Sequence, residues 1–270
     1  MKFGTMQSVL GEPLPGAFSV AKKLGFDGIE IECGKADAIE PAGEFAPARR
    51  AEIRAAACQA GVEIPSVCAG CLNGLLAAPD PSARQNAIGL ARRLIELSHD
   101  LGASVLLIPF FGDGEILDEA AMQRVTESIR QLEPDAAAAR VTLAIEHTLR
   151  ADRAAALIDA IGSPRFGDYW DMGNSMSLGF DPLAEIESLG RRIAQVHAKE
   201  YSGTEVAAGP GEYPGLNRDP FGKGKVPVSG VIRKLRAQGY DGWIVLETGA
   251  FGNRKESART ALEILKIAGG

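Results

Sequence analysis

Four side chains that can bind a metal close four successive apolar runs. Glu146 follows Val141-Thr142-Leu143-Ala144-Ile145, Asp171 follows Tyr169-Trp170, His197 follows Ala194-Gln195-Val196, and Glu247 follows Ile244-Val245-Leu246. Successive side chains of an extended strand point to opposite faces, so turning Leu143 and Ile145 toward covering helices turns Glu146 the other way. The same alternation turns Asp171, His197 and Glu247 inward. Three carboxylates gathered in a low-dielectric site repel one another, and each unpaired buried charge is costly. A divalent cation relieves that repulsion. One imidazole with three carboxylates is an oxygen-rich, hard donor set, which favours manganese or magnesium, with cobalt, iron and zinc as alternatives. His147 directly follows Glu146 and points the opposite way, and His99 falls on a helical pattern as a surface residue.

Such a convergence needs a frame that brings strand ends to one place. Eight strand-like runs, each followed by a helical pattern, predict an α/β fold, a single (β/α)8 TIM barrel occupying residues 1–270 as one domain. The strands are expected at Lys2–Met6, Gly28–Glu32, Val62–Val67, Val105–Phe110, Val141–His147, Phe166–Asp171, Ile193–Ala198 and Trp243–Glu247. In the second, Ile29 and Ile31 facing the helices put Glu30 and Glu32 inward, with Glu32 nearest the rim. Glu32 is therefore a candidate pocket residue or a solvated acid at the loop edge. Helices are expected near 15–24, 47–60, 81–101, 117–139, 151–161, 182–189, 228–238 and 257–267, with Pro134 breaking or kinking the fourth. In barrels of this kind the C-terminal rim of the strands carries the chemistry. All four candidate ligands sit there. The stretch from Tyr201 to Val226 is rich in Gly and Pro, has no helical or strand period, and leaves the same rim, which marks it as a lid or binding loop.

Composition narrows the function. Hydrophobic residues make up 46% and charged residues 24%, ordinary for a folded globular chain rather than a disordered one. A net charge of −6 and the lack of any basic run disfavour nucleic-acid binding and point to a small-molecule substrate. No apolar run approaches the ~20 residues of a membrane span, and the N-terminus lacks a signal-peptide core, so no membrane partner and a cytoplasmic location are expected. Four cysteines are too few and too unevenly spaced for a disulfide framework. Cys68-Ala-Gly-Cys71 reads as small residues at a strand end and its loop. No nucleotide-binding glycine motif is present.

The chain resembles the sugar phosphate isomerase/epimerase family of the xylose isomerase-like barrels. The resemblance covers essentially the whole sequence and is carried by Leu24-Gly25-Phe26-Asp27-Gly28-Ile29-Glu30, Leu143-Ala144-Ile145-Glu146, Asp171-Met172-Gly173-Asn174, Val196-His197-Ala198-Lys199-Glu200, and Gly239-Tyr240-Asp241-Gly242 followed by Glu247. It implies one divalent metal, commonly manganese, held by Glu146, Asp171, His197 and Glu247. It also implies that Glu146 and Glu247 form the acid/base pair acting on opposite faces of a sugar or sugar phosphate through an enediolate. Related ketose epimerases carry a histidine where this chain has Asn174 and an arginine where it has Gly203. Asn174 can still donate a hydrogen bond to substrate, and Lys199 either supplies the positive charge or serves as a structural ion-pair partner. A keto-sugar or inosose dehydratase or lyase would use the same metal and proton abstraction. A non-catalytic sugar-binding barrel, and self-association into a homo-oligomer, stay open. Metal-dependent abasic-site endonucleases need more histidines than the three present.

Overall fold

Several helices in this chain start on side-chain caps, and several stop on left-handed residues. Asp80, Asp118, Asp181 and Asn253 each accept hydrogen bonds from first-turn amides of the helices that follow them. Gly25, Gly61, Gly102 and Gly162 close four helices in the left-handed conformation, one of them the helix that Asp80 caps. Between those stops run short apolar strands, and the computed structural model, which describes all 270 residues, joins them into one closed parallel barrel.

The strands are β1 (Lys2–Met6), β2 (Gly28–Glu32), β3 (Ser66–Cys68), β4 (Val105–Phe110), β5 (Thr142–His147), β6 (Phe166–Asp171), β7 (Ile193–Ala198) and β8 (Trp243–Leu246), hydrogen-bonded in chain order with β8 returning to β1. The helices are α1 (Gln7–Leu10), α2 (Gly16–Leu24), α3 (Pro47–Ala60), α4 (Pro81–Leu101), α5 (Glu119–Ala139), α6 (Ala151–Ile161), α7 (Met172–Ser177), α8 (Pro182–Leu189), α9 (Val228–Ala237) and α10 (Arg254–Gly269). The expected (β/α)8 barrel is the observed fold. No helix is long and apolar enough to cross a membrane.

Most of the core lies outside the barrel wall. Seventy buried residues, among them Leu143, Ile145 and Trp170, pack between strands and helices, whereas the apolar cluster inside the barrel has only Val105, Leu107, Ala144 and Tyr169 as its buried members. The alternation read along β5 and β6 is thus observed, Leu143 and Ile145 outward and Ala144 inward. With so little apolar filling, the barrel interior is left to polar groups.

Three expectations need correction. β3 spans Ser66–Cys68 rather than Val62–Val67, because Pro65 has no amide to donate and the earlier residues make only an isolated bridge between Glu63 and Gly28. Pro134 lies inside an unbroken α5, so it ends nothing. Glu247 falls just beyond β8, although its amide still donates to Ala198 O at 2.9 Å and continues the ladder. The short helices α1 and α7, which leave the rim directly after β1 and β6, were not among the expected elements.

Candidate metal centre

Asp171 ends β6 and caps α7. Its Oδ1 accepts the amides of Gly173 at 2.8 Å and Asn174 at 2.6 Å, which fixes the carboxylate and leaves Oδ2 facing the barrel axis. Gly173 is required there, since a Cβ on it would lie 2.9 Å from the carbonyl oxygen of Lys199. That close approach brings Asn174 within reach of β5, where its Nδ2 donates to Glu146 Oε1 at 2.9 Å.

His197 stands one strand further round, buried, with Nδ1 3.1 Å from Glu247 Oε2, 3.5 Å from Glu146 Oε1 and 3.9 Å from Asp171 Oδ2. One atom from each of Glu146, Asp171, His197 and Glu247 falls within 4.8 Å of the others. The four residues expected from the sequence therefore do converge. Two of the facing atoms, Asp171 Oδ2 and His197 Nδ1, are buried and make no hydrogen bond. Buried polar atoms are nearly always satisfied, so a pair of orphans aimed at one point fits a divalent cation bound between them.

The electrostatics carry the same message. Burial, reinforced by Glu247 and Glu146 and opposed by Lys199, pushes Asp171 up to about 7. Burial would also raise Glu247, but Lys199 and His197 beside it more than offset that and hold it below the usual carboxylate range. Burial alone would lower His197, yet Glu30, Glu146 and Glu247 drive it well upward. Such opposed shifts are what crowding of acids around too little positive charge produces.

Lys199 is the resident cation. Its Nζ lies 2.7 Å from Glu247 Oε1 and 3.4 Å from Asp171 Oδ2, and it donates to Asn174 Oδ1 at 3.2 Å. A continuous chain, Glu146–Asn174–Lys199–Glu247, thus links the two glutamates. Lys199 is an ion-pair partner that also lines the cavity. Glu32 is placed differently: its Oε2 accepts the Ser8 amide at 2.6 Å, and it borders a neighbouring groove with Lys35 and Asp37 rather than the cavity above the four ligands. His147 points away from the cluster, as alternation requires, and its Nε2 meets Asp168 Oδ2 at 3.0 Å. His99 is exposed.

That cavity, of about 370 Å³, opens over Glu146, Asn174, His197, Lys199 and Glu247, with Phe111, Tyr213 and Leu216 among its walls. Tyr213 and Leu216 belong to the segment 201–226. This segment has no helix, but it is tied down at both ends of its path. At its base Glu200, fully buried, accepts the amides of Tyr201 at 2.9 Å and Val226 at 3.1 Å on one oxygen and that of Gly222 at 2.7 Å on the other. At its tip the Tyr213 hydroxyl donates to Glu115 Oε1, which also accepts the Gly211 amide at 2.7 Å, while Phe111 meets the Tyr213 ring edge-on at 5.5 Å. Glu200, Glu115 and Glu30 are the residues to which sequence reasoning gave no role. Only Glu30 had a signal, as an inward acid in the middle of an apolar strand.

A family model for xylose isomerase-like TIM barrels matches residues 18–268. SgbU of Escherichia coli strain K12, whose name proposes an L-ribulose-5-phosphate 3-epimerase, is 30% identical over 91% of this chain and 88% of its own length. A 2-epi-5-epi-valiolone 7-phosphate 2-epimerase of an Actinoplanes species is 29% identical over 68% of this chain and 67% of its own. The crystal structure of a D-psicose 3-epimerase in the presence of D-fructose superposes with a TM-score of 0.81 at 20% identity, covering 100% of both chains, a likeness of fold. With relatives named as sugar epimerases, this chain belongs to the xylose isomerase-like TIM barrel family.

Proposed function

We propose that this protein is a divalent-metal-dependent isomerase that epimerises or isomerises a sugar or sugar phosphate by removing a proton from carbon beside a carbonyl. The observation that carries the reading is the meeting of three carboxylates and one imidazole under a sugar-sized cavity, with two of the buried facing atoms making no hydrogen bond. Glu146, Asp171, His197 and Glu247 would hold the ion, manganese being the first expectation. Bound there, it would supply Lewis-acid stabilisation of the negative charge that develops on the substrate oxygens.

The remaining chemistry belongs to the side chains. Glu247, kept ionised by the Lys199 ammonium at 2.7 Å, suits the base that takes the α-proton. Glu146, approached by the Asn174 amide at 2.9 Å, suits the group that returns a proton from the other side. Returning it to the same carbon inverts that centre, and returning it to the neighbouring carbon of the enediolate interconverts aldose and ketose. Asn174 and Lys199 bridge the pair and are the groups best placed to contact substrate oxygens, a role we also propose for them. The segment 201–226 shields the reaction from water by roofing the cavity.

Metal analysis of the purified protein, followed by incubation with ketoses and sugar phosphates in heavy water, tests the reading. Bound metal together with deuterium uptake at the α-carbon is expected. Loss of water from a keto-sugar would instead identify a dehydratase on the same site, and metal-free protein that exchanges no proton would reject the proposal.

A further inference from the structure

Beneath His197, toward the other end of the barrel, lies a layer of hydrogen-bonded polar side chains, Glu30, Ser66, Tyr169 and Gln195. Glu30 on β2 is fully buried, with Oε1 2.9 Å from His197 Nε2 and Oε2 2.6 Å from both Ser66 Oγ and Tyr169 OH. Gln195 Nε2 lies 2.6 Å from the same serine oxygen and 2.7 Å from the same tyrosine oxygen. The protons in this layer can be assigned by counting. Each hydroxyl receives a hydrogen from the Gln195 amide, so its own single proton is free for Glu30. Glu30 then accepts at both oxygens, and the hydrogen on its bond to His197 comes from Nε2. The Tyr169 ring also lies against the imidazole at a centroid distance of 4.4 Å, holding its face while Glu30 holds its edge.

We propose that Glu30 is a positioning residue for the metal centre: by binding Nε2–H it makes Nδ1 the ligating nitrogen of His197 and strengthens it as a donor, with Ser66, Tyr169 and Gln195 locking the carboxylate in place. The proposal rests on the metal reading above. The geometry that supports it is independent of any ion, because Nδ1 is already the nitrogen that faces Glu146, Asp171 and Glu247 and has no hydrogen-bond partner. A buried carboxylate inside a barrel is disfavoured unless it is used, and behind a metal-bound histidine such a group fixes tautomer and ring orientation and raises basicity.

The test uses the full-length protein stripped of metal and titrated with Mn²⁺, with near-ultraviolet circular dichroism as the check on folding. Glu30→Gln keeps the size and an acceptor oxygen but loses the charge, and is expected to weaken Mn²⁺ binding about 10- to 100-fold. Glu30→Ala should weaken it further, and Tyr169→Phe, which keeps the ring, much less. The second readout is ¹⁵N NMR of the Zn²⁺-loaded wild-type protein, readable because the chain has three histidines. His197 should show a protonated Nε2 and a metal-bound Nδ1. Metal bound through Nε2, or a folded Glu30→Gln protein with unchanged Mn²⁺ affinity, would overturn the assignment of Glu30 alone. If Glu30→Gln does not fold, the wild-type NMR decides. Wild-type protein that takes up no metal overturns the functional reading and this inference with it.

Discussion

Asp171 divides its oxygens between two tasks, one capping α7 and the other facing the ligand cluster, so its carboxylate is oriented before any ion arrives. Glu146 and Glu247 cap no helix: Glu146 accepts from Asn174, Glu247 pairs with Lys199, and both face His197 Nδ1. That difference predicts separable mutant effects. Glu146→Gln and Glu247→Gln should each lower turnover by at least about 10²- to 10⁴-fold, the contribution of a positioned acid or base, while an amide oxygen preserves the fold and part of the metal binding. Steady-state kinetics beside metal titration checks this, and near-native turnover in either variant would refute the pairing. The convergence of Glu146, Asp171, His197 and Glu247 was legible in the sequence because strand alternation and strand ends are local properties. Glu30 was placed inward by the same rule but ranked below Glu32, since its value depends on His197, 167 positions away, and on a layer formed only when the barrel closes.

At the scale of elements, periodicity located nearly every strand and long helix, and it failed where a single turn does the work. α7 is six residues long and too short to show a period, yet it delivers Asn174. It is braced from behind by Glu185 of α8, which accepts Trp170 Nε1 at 3.1 Å and the Ser175 hydroxyl. Burial raises Glu185 above its ordinary value of 4.5, and the two donors offset only part of that. The folded protein therefore binds this proton more tightly than the unfolded chain does. The resulting stability is complete below the unfolded value and is lost as pH rises through the folded one. Glu185→Gln retains an acceptor oxygen and removes the titration, so its melting temperature relative to wild type should climb as pH rises across that window. A pH-independent difference would exclude Glu185 as the cause. The loop after β7, rich in Gly and Pro and without helical or strand period, is nevertheless anchored, because Glu200 ties three of its amides. Hydrogen bonds to a charged acceptor contribute about 1.5–3 kcal/mol each, and one such loss changes the open fraction about tenfold or more. Glu200→Gln should accordingly speed proteolytic nicking within 201–226 by at least that factor with little change in the barrel's melting. Equal cleavage rates would show that the base of the loop is held otherwise.

For the molecule as a whole, eight repeats of strand and helix were enough to anticipate closure, because a parallel sheet whose helices all lie outside has few alternatives. What repeats could not show is how the interior is filled, since that is decided by side chains from opposite sides of the ring. Lys199 and His197 partly balance the ligand carboxylates, so the metal-free protein should stay folded but melt earlier. Metal at 100 times its dissociation constant adds about 2.7 kcal/mol, or about 5 to 10 °C for a chain of this size. Melting scans before and after chelation measure it, and coincident transitions would argue against a bound ion.

One oxygen of Glu200 receives the amides of both Tyr201 and Val226, so the segment leaves the barrel and rejoins it at nearly the same point. A chain closed in this way resembles an interchangeable cassette. Doubling its length costs only about 0.6 kcal/mol in closure entropy, and none of the four ligands lies on it. Descent can therefore rewrite the roof, with Tyr213 and Leu216 in it, without disturbing the four side chains that meet on the floor of the cavity.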